Sequence, residues 1–237
     1  MEKEYAKYLF EKTIQDYNLI AGQFSRTREY VPEERKKLLL RYIVPGDRVL
    51  DIGCGNGRFF EVFQKDYRYF GIDVSEVMVR IARSKYPEGN FQVADALNLP
   101  FPDNYFDKIF SLAVIHHIPS LELRLKFLKE AKRVLRPQGA FILTVWNLSP
   151  LQMILIGEWE RFKGFLRQQV LKIIGKAKTD FGDFFVSWGR ITPRYVHCFT
   201  VAGLKKIIQR ADFRVKDCGV LRGNRTKESN IFIVAEK

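Results

Sequence analysis

An apolar run, Val49-Leu50-Asp51-Ile52, leads into Gly53-Cys54-Gly55-Asn56-Gly57, with glycine at alternate positions. Glycine suits positive φ and close approach of backbone to a ligand. A second apolar run ends in Gly71-Ile72-Asp73-Val74. A carboxylate about 20 residues beyond such a turn can accept hydrogen bonds from both hydroxyls of a ribose. The pair therefore points to a nucleoside cofactor lying across the carboxyl ends of a parallel sheet. The spacing is not the dinucleotide G-x-G-x-x-G, because Arg58 follows the third glycine directly. No lysine followed by Ser or Thr closes the turn, which excludes a phosphate-binding P-loop.

More residues with chemical potential follow. Asp95 and Ala96 stand in Val93-Ala94-Asp95-Ala96-Leu97-Asn98-Leu99-Pro100-Phe101, and Leu112 precedes Ala113-Val114-Ile115-His116-His117. Arg26 and Arg28 flank Thr27, and Arg194-Tyr195-Val196-His197-Cys198-Phe199 carries a second basic and aromatic cluster.

The elements that must position these residues alternate. Helical spacing of Tyr5, Leu9, Ile14, Tyr17 and Ile20 predicts a helix over 3–21, followed by a loop at Phe24–Arg28. Pro32-Glu33-Glu34 starts a second helix that runs to about Tyr42. Strands are expected at 48–52, 69–74, 90–94, 108–112 and 140–146. Helices are expected at 58–65, 75–85 and 121–135. Leu135-Arg136-Pro137-Gln138-Gly139-Ala140 reads as a turn before the fifth strand. One or two added helices are expected over 151–178, then an aromatic and glycine-rich loop over 180–194. A helix over 200–211 and an antiparallel strand pair at 213–218 and 231–236 close the chain. Alternating strands and helices specify an α/β fold with a parallel sheet covered on both faces. The reading is one domain over 1–237, with an N-terminal helical cap at 1–42 and a substrate-side insertion at 147–199.

At 237 residues the chain buries a sizeable core. No stretch reaches the roughly 20 apolar residues of a membrane span, and the charged start carries no signal-peptide core. Cys54, Cys198 and Cys218 are widely spaced, so no metal site is expected and a reducing cytoplasm fits. Cys54 reads as a small packing residue. The net charge is +13. A basic surface favours polyanions, although charge alone does not select a partner. Residues 205–227 hold eight Lys or Arg and two Asp, with Arg222, Arg225 and Lys227 in an expected hairpin loop. The basic amphipathic stretch after residue 151 either packs on its own domain or touches a membrane surface, and packing is the preferred reading.

The D-x-G-x-G-x-G order resembles motif I of the class I S-adenosylmethionine (SAM) methyltransferases, and three later segments resemble that family's further motifs in order. The resemblance implies a Rossmann-like, seven-stranded, mostly parallel sheet with a helical insertion after strand five. It implies SAM as cofactor, held by Asp51, Gly53, Cys54, Gly55, Asn56, Gly57, Asp73, Val74, Asp95, Ala96, Leu112 and His116. Tyr17-Asn18-x-Ile20-Ala21-x-x-Phe24-Ser25-x-Thr27-Arg28 is similar to the start of the tRNA wobble-uridine carboxymethyl methyltransferases, the type found as a domain of an AlkB-homologue protein. The likeness continues at His116-His117, Trp146, Asp183-Phe184-Phe185-Val186-Ser187-Trp188, Arg194-Tyr195-x-His197, Glu228 and Asn230, with Ser187 in place of a proline. It implies methylation of a carboxylate on a modified wobble uridine of tRNA, with a small zinc-binding activator protein as partner. Candidate catalytic residues on this reading are His117, Arg194, His197 and Arg26, with Arg28, Tyr195 and His116 beside them. Arg194 either meets the substrate or pairs with Asp183, and Trp146 and Trp188 are either core or stacking residues. The other readings are a small-molecule methyltransferase acting on a metabolite, quinone or lipid-like acceptor, and a non-catalytic RNA-binding protein on the same fold.

Overall fold

The computed structural model describes residues 1–63, 67–223 and 229–237. The expected end of the helix at Lys65, and Arg225, Lys227 and Glu228, lie outside the described residues.

Five parallel strands form the core of the sheet: β1 (Arg48–Ile52), β2 (Arg68–Asp73), β3 (Asn90–Val93), β4 (Phe106–Leu112) and β5 (Leu135–Trp146). The antiparallel strands β8 (Arg214–Arg222) and β9 (Ser229–Glu236) complete it in the order β3-β2-β1-β4-β5-β9-β8. The strand order reverses between β1 and β4, and a crevice opens at such a switch point beyond the carboxyl ends of the strands. Side chains alternate across the sheet. Leu50 and Ile52 pack with α5 (Leu121–Val134) and α8 (Val201–Arg210) on one face. Val49, Tyr69 and Phe91 pack with α2 (Glu33–Leu40), α3 (Phe60–Phe63) and α4 (Glu76–Lys85) on the other.

Helix starts follow local chemistry. Ser75, Ser120 and Thr200 each accept a hydrogen bond from the backbone N–H three residues on, which supplies the first turn of α4, α5 and α8 with a partner.

Three elements depart from expectation. α1 runs from Lys3 to Arg26, so the loop expected at Phe24–Arg28 begins only after Arg26. Gly22 is its single weak helix former there, and one glycine does not end a helix. β5 begins at Leu135, which pairs with Phe106; after Gln138 (φ 63°) and Gly139 the pairing with β4 resumes at Ala140 and Lys108. The expected loop at 180–194 is a hairpin of β6 (Asp183–Trp188) and β7 (Thr192–His197), turned at Gly189.

α1 packs on α4 and β7, and its Phe10, Tyr17 and Phe24 line the crevice. α2 buries Leu38 and Leu39 in the core and flanks the sheet instead. The insertion contains α6 (Pro150–Leu155), α7 (Trp159–Ile173) and the hairpin, which share a small apolar cluster of Leu148, Met153, Phe184, Val186 and Val196. Among the described residues no helix is long and apolar enough to cross a membrane.

Candidate active site

The carboxyl ends of β1, β2 and β4 open into a cavity of about 680 Å³, roofed by α1 and the β6–β7 hairpin. That volume lies within the range of small-molecule and cofactor sites.

The three glycines in the turn after β1 do two different jobs. A Cβ on Gly53 (φ 79°) would meet Val114 Cγ2 at 2.3 Å, and one on Gly57 (φ 76°) would meet the Phe91 ring at 2.8 Å. These two glycines permit packing behind the turn. A Cβ on Gly55 (φ 56°) would meet nothing nearer than Phe24 at 3.9 Å, so it would project into the cavity. Asp73 fixes the turn: its Oδ2 accepts from Gly55 N–H at 2.9 Å and its Oδ1 from Ser75 N–H at 2.9 Å. Burial raises the Asp73 pKa, and the backbone donors oppose that rise. A carboxylate has about four lone-pair sites, so acceptor capacity remains for ribose hydroxyls. Open space at Gly55 beside a buried carboxylate fits a nucleoside cofactor.

The cap is tied to this turn. Asn56 Nδ2 donates to Ser25 Oγ at 3.1 Å and to the Arg28 carbonyl at 3.1 Å, and Ser75 Oγ donates to Asn18 Oδ1 at 2.6 Å. Cys54 is buried, and burial pushes its thiol pKa well up, which removes it as a nucleophile. Asp51 is buried against Tyr69, whose hydroxyl donates to it at 2.8 Å. Burial raises Asp51 to about 7 despite that hydrogen bond.

At the far end of the cavity Arg194 is 4% exposed. Its guanidinium lies over Trp188 (4.9 Å), Trp146 (5.2 Å) and Tyr17 (5.9 Å). Its Nη1 donates to the Tyr17 hydroxyl at 3.4 Å, and its Nε has no partner. Among the described residues no carboxylate pairs with it. Asp183 accepts instead from the Tyr195 hydroxyl at 2.7 Å and from His197 Nδ1 at 2.7 Å. Strand alternation explains the split: Arg194 faces the cavity, while Tyr195 and His197 face the other side of the hairpin.

His117 lines the cavity between the two ends. Its Nδ1 lies 2.8 Å from the Tyr195 carbonyl, which can only accept, so Nδ1 carries the proton. Its Nε2 therefore accepts from the Tyr17 hydroxyl at 2.8 Å. Burial, followed by the charge of Arg194, lowers the His117 pKa to about 3. The ring is neutral with both nitrogens occupied, and it positions Tyr17 rather than acting as a cationic donor.

The cavity wall includes Asp51, Gly53, Cys54, Gly55, Asn56, Asp73, Val74, Ala96, Leu112, His117 and Arg194 from the sequence reading. Five expected residues stand elsewhere. Gly57 packs against Phe91. Asp95 is exposed, and its Oδ1 accepts from Leu97 N–H at 2.8 Å; Ala94 and Ala96 present that loop to the cavity. His116 is sealed behind Trp146, with ring centroids 4.7 Å apart, and both its nitrogens lack partners. His197 is held by Asp183. Arg26 is exposed at the end of α1, and Arg28 lines the cavity in its place. Three arginines were absent from the expected site: Arg35, Arg58 and Arg161 all line the wall. Burial lowers Arg58 to about 9, helped by Arg35 and Arg28. No local motif marks these three, because they converge from separate segments.

A doubly wound sheet with a glycine turn, a carboxylate after the second strand and a cavity beyond them defines a nucleoside-cofactor-binding domain. The methyltransferase domain family matches residues 50–143. A putative methyltransferase of Encephalitozoon cuniculi is 31% identical over 223 residues, covering 93% of each chain. A tRNA (carboxymethyluridine(34)-5-O)-methyltransferase of Arabidopsis thaliana is 33% identical over 143 residues, covering 60% of this chain and 34% of that one. The chain spans about a fifth to a third of the length of the tRNA methyltransferase relatives. Among solved structures, a SAM-dependent methyltransferase of Methanosarcina mazei superposes with a TM-score of 0.71 at 24% identity, covering 84% of this chain and 96% of that one. A putative methyltransferase solved in complex with the Haloferax volcanii Trm112 activator superposes with a TM-score of 0.67 at 18% identity, covering 94% and 96%. The chain belongs to the SAM-dependent methyltransferase family, and SAM is its cofactor.

Proposed function

We propose that this chain methylates the carboxylate of a carboxymethyl group on the wobble uridine of tRNA. The observation that carries this reading is Arg194: a buried guanidinium on the cavity wall with no carboxylate of its own. A buried cation without a counter-charge is unfavourable, so an anionic acceptor supplies what the fold leaves out. The names of the tRNA-methyltransferase relatives support the acceptor, and the +13 charge supports a polyanionic substrate.

When bound, SAM supplies an electrophilic methyl group on a sulfonium. A carboxylate acceptor is already ionised at neutral pH and needs no general base. That suits a site whose histidine is neutral and fully hydrogen-bonded. Arg194 holds one carboxylate oxygen and leaves the other to attack. Tyr17, set by His117, fixes the guanidinium. Asp73 and the Gly55 turn hold the cofactor in line, and α1 excludes water from above. The catalytic contribution is alignment and desolvation. By analogy with the Haloferax complex, we also propose that a Trm112-like activator binds this chain in a reducing, cytoplasmic setting.

A second reading, a small-molecule acceptor, is favoured by the apolar wall that Leu148 and Ile156 give the same cavity. Transfer of labelled methyl from SAM into bulk tRNA, with and without the activator, separates the two. Label that enters tRNA and is released by mild base identifies a methyl ester. Base-stable label moves the acceptor to a ring or ribose atom. SAM binding without any labelled tRNA transfers the assignment to a small molecule.

A further inference from the structure

α7 presents an apolar stripe to solvent. Trp159 is 53% exposed, Leu166 50%, Val170 46% and Ile173 72%. Leu151 and Leu155 of α6 and Ile174 beyond α7 are exposed as well. The adjoining side of α7 is satisfied: Phe162 and Phe165 pack on the hairpin cluster, and Gln169 Nε2 donates to the Asp183 carbonyl at 3.0 Å. The expectation that this stretch packs on its own domain therefore holds for one face only. Residues 158–178 carry six basic side chains against two acidic ones, and Lys163, Arg167, Lys176 and Lys178 are exposed.

We infer that α6 and α7 form a docking face for an anionic membrane surface. An interfacial helix combines a Trp- and Leu-bearing apolar face with flanking Lys and Arg, and this combination matches bilayer apolar depth to anionic headgroups. An RNA backbone would use the cations and leave the Leu, Val and Ile stripe unburied. Ile156 and Arg161, from the same segment, line the cavity, so a membrane seated on this face borders the cavity mouth. The inference is independent of the acceptor.

The test is co-sedimentation of the full chain with phosphatidylcholine vesicles, with and without roughly a third phosphatidylserine, for wild type and a Leu166→Ser, Val170→Ser, Ile173→Ser variant. No residue of the triple variant is buried or belongs to the cofactor site, and retained SAM binding certifies its fold. Wild type is expected to bind the anionic vesicles at least about tenfold more tightly than the neutral ones, with the tryptophan emission shifted to the blue. The variant is expected to lose that binding. Absence of vesicle binding, or equal binding by the variant, overturns the inference. A wild-type dimer that the variant converts to monomer, without vesicle binding, assigns the face to a second copy. tRNA binding lost in the variant, again without vesicle binding, assigns it to RNA.

Discussion

The Tyr17 hydroxyl donates to His117 Nε2 at 2.8 Å, and this contact joins the cap helix to the turn after β4. His117 is anchored in turn by the Tyr195 carbonyl, so one chain of hydrogen bonds spans α1, the β4 turn and the hairpin. Tyr17→Phe removes the hydroxyl that Arg194 also touches. The expected result is a loss of about 1–2 kcal/mol in stability from the unpaired Nε2 and roughly a tenfold drop in kcat. SAM affinity should hold. Urea unfolding and single-turnover kinetics measure the two effects separately, and wild-type turnover would remove Tyr17 from the positioning network.

Arg194→Gln keeps much of the side-chain volume and removes the charge. Turnover on an anionic acceptor should fall about a hundredfold, with SAM affinity unchanged by titration calorimetry. Because a buried cation without a counter-charge is relieved, the variant should unfold at a temperature no lower than wild type. Unaltered turnover on the confirmed acceptor contradicts the assignment of Arg194 to the carboxylate.

Asp73→Ala deletes the acceptor proposed for the ribose, together with the partner of Gly55 N–H and Ser75 N–H. Hydrogen bonds to a charged group contribute about 1.5–3 kcal/mol each. SAM affinity should therefore fall by at least roughly a hundredfold. Equal affinities for the variant and wild type in calorimetry would place the ribose elsewhere.

The sheet was legible because apolar strands and amphipathic helices alternate with turn residues at each junction. The glycine turn and Asp73 were legible because their spacing is local. The β6–β7 hairpin was not: Phe184 and Phe185 interrupt polar and apolar alternation, and Pro193 argues against a strand except at an edge. Missing the hairpin hid the period of two in Arg194-Tyr195-Val196-His197. With Arg194 ending the expected loop and 195–197 assigned to no element, Arg194, Tyr195 and His197 were all free to face one site; as a strand, Tyr195 and His197 turn away from Arg194. Arg35, Arg58 and Arg161 line one cavity only through tertiary packing, and sequence spacing carries no trace of that convergence.

The glycine turn separates packing from ligand space in a way that substitution can read. Gly57→Ala adds a clash with Phe91 to an unfavourable φ and should destabilise the fold by roughly 3 kcal/mol. Gly55→Ala carries only the φ penalty, about 1–2 kcal/mol, yet its methyl group enters the cavity. The expected order therefore inverts between assays. Gly57→Ala lowers Tm more, and Gly55→Ala weakens SAM binding more. Thermal unfolding and SAM titration of the two variants, run side by side, decide whether Gly55 borders the cofactor.

Asp51 gives the fold a pH signature. Its folded pKa, about 7, lies above its ordinary value of 3.8. The native state thus holds a proton that the unfolded chain has released. Its stability contribution is fully present below the unfolded pKa and is lost as pH rises through about 7. One pKa unit corresponds to about 1.4 kcal/mol, so the loss amounts to a few kcal/mol across that window. Asp51→Asn keeps an acceptor for the Tyr69 hydroxyl and has no proton to lose. Urea unfolding at pH 5 and pH 8 should show wild type falling relative to Asp51→Asn as pH rises. The lowered pKa of His117 acts in the opposite sense, removing stability as pH falls below the ordinary histidine range, but it is common to both proteins and cancels in the comparison. Parallel stability curves for the two proteins would show that Asp51 is ionised in the folded state throughout, with its charge met by Arg58 and the Tyr69 hydroxyl.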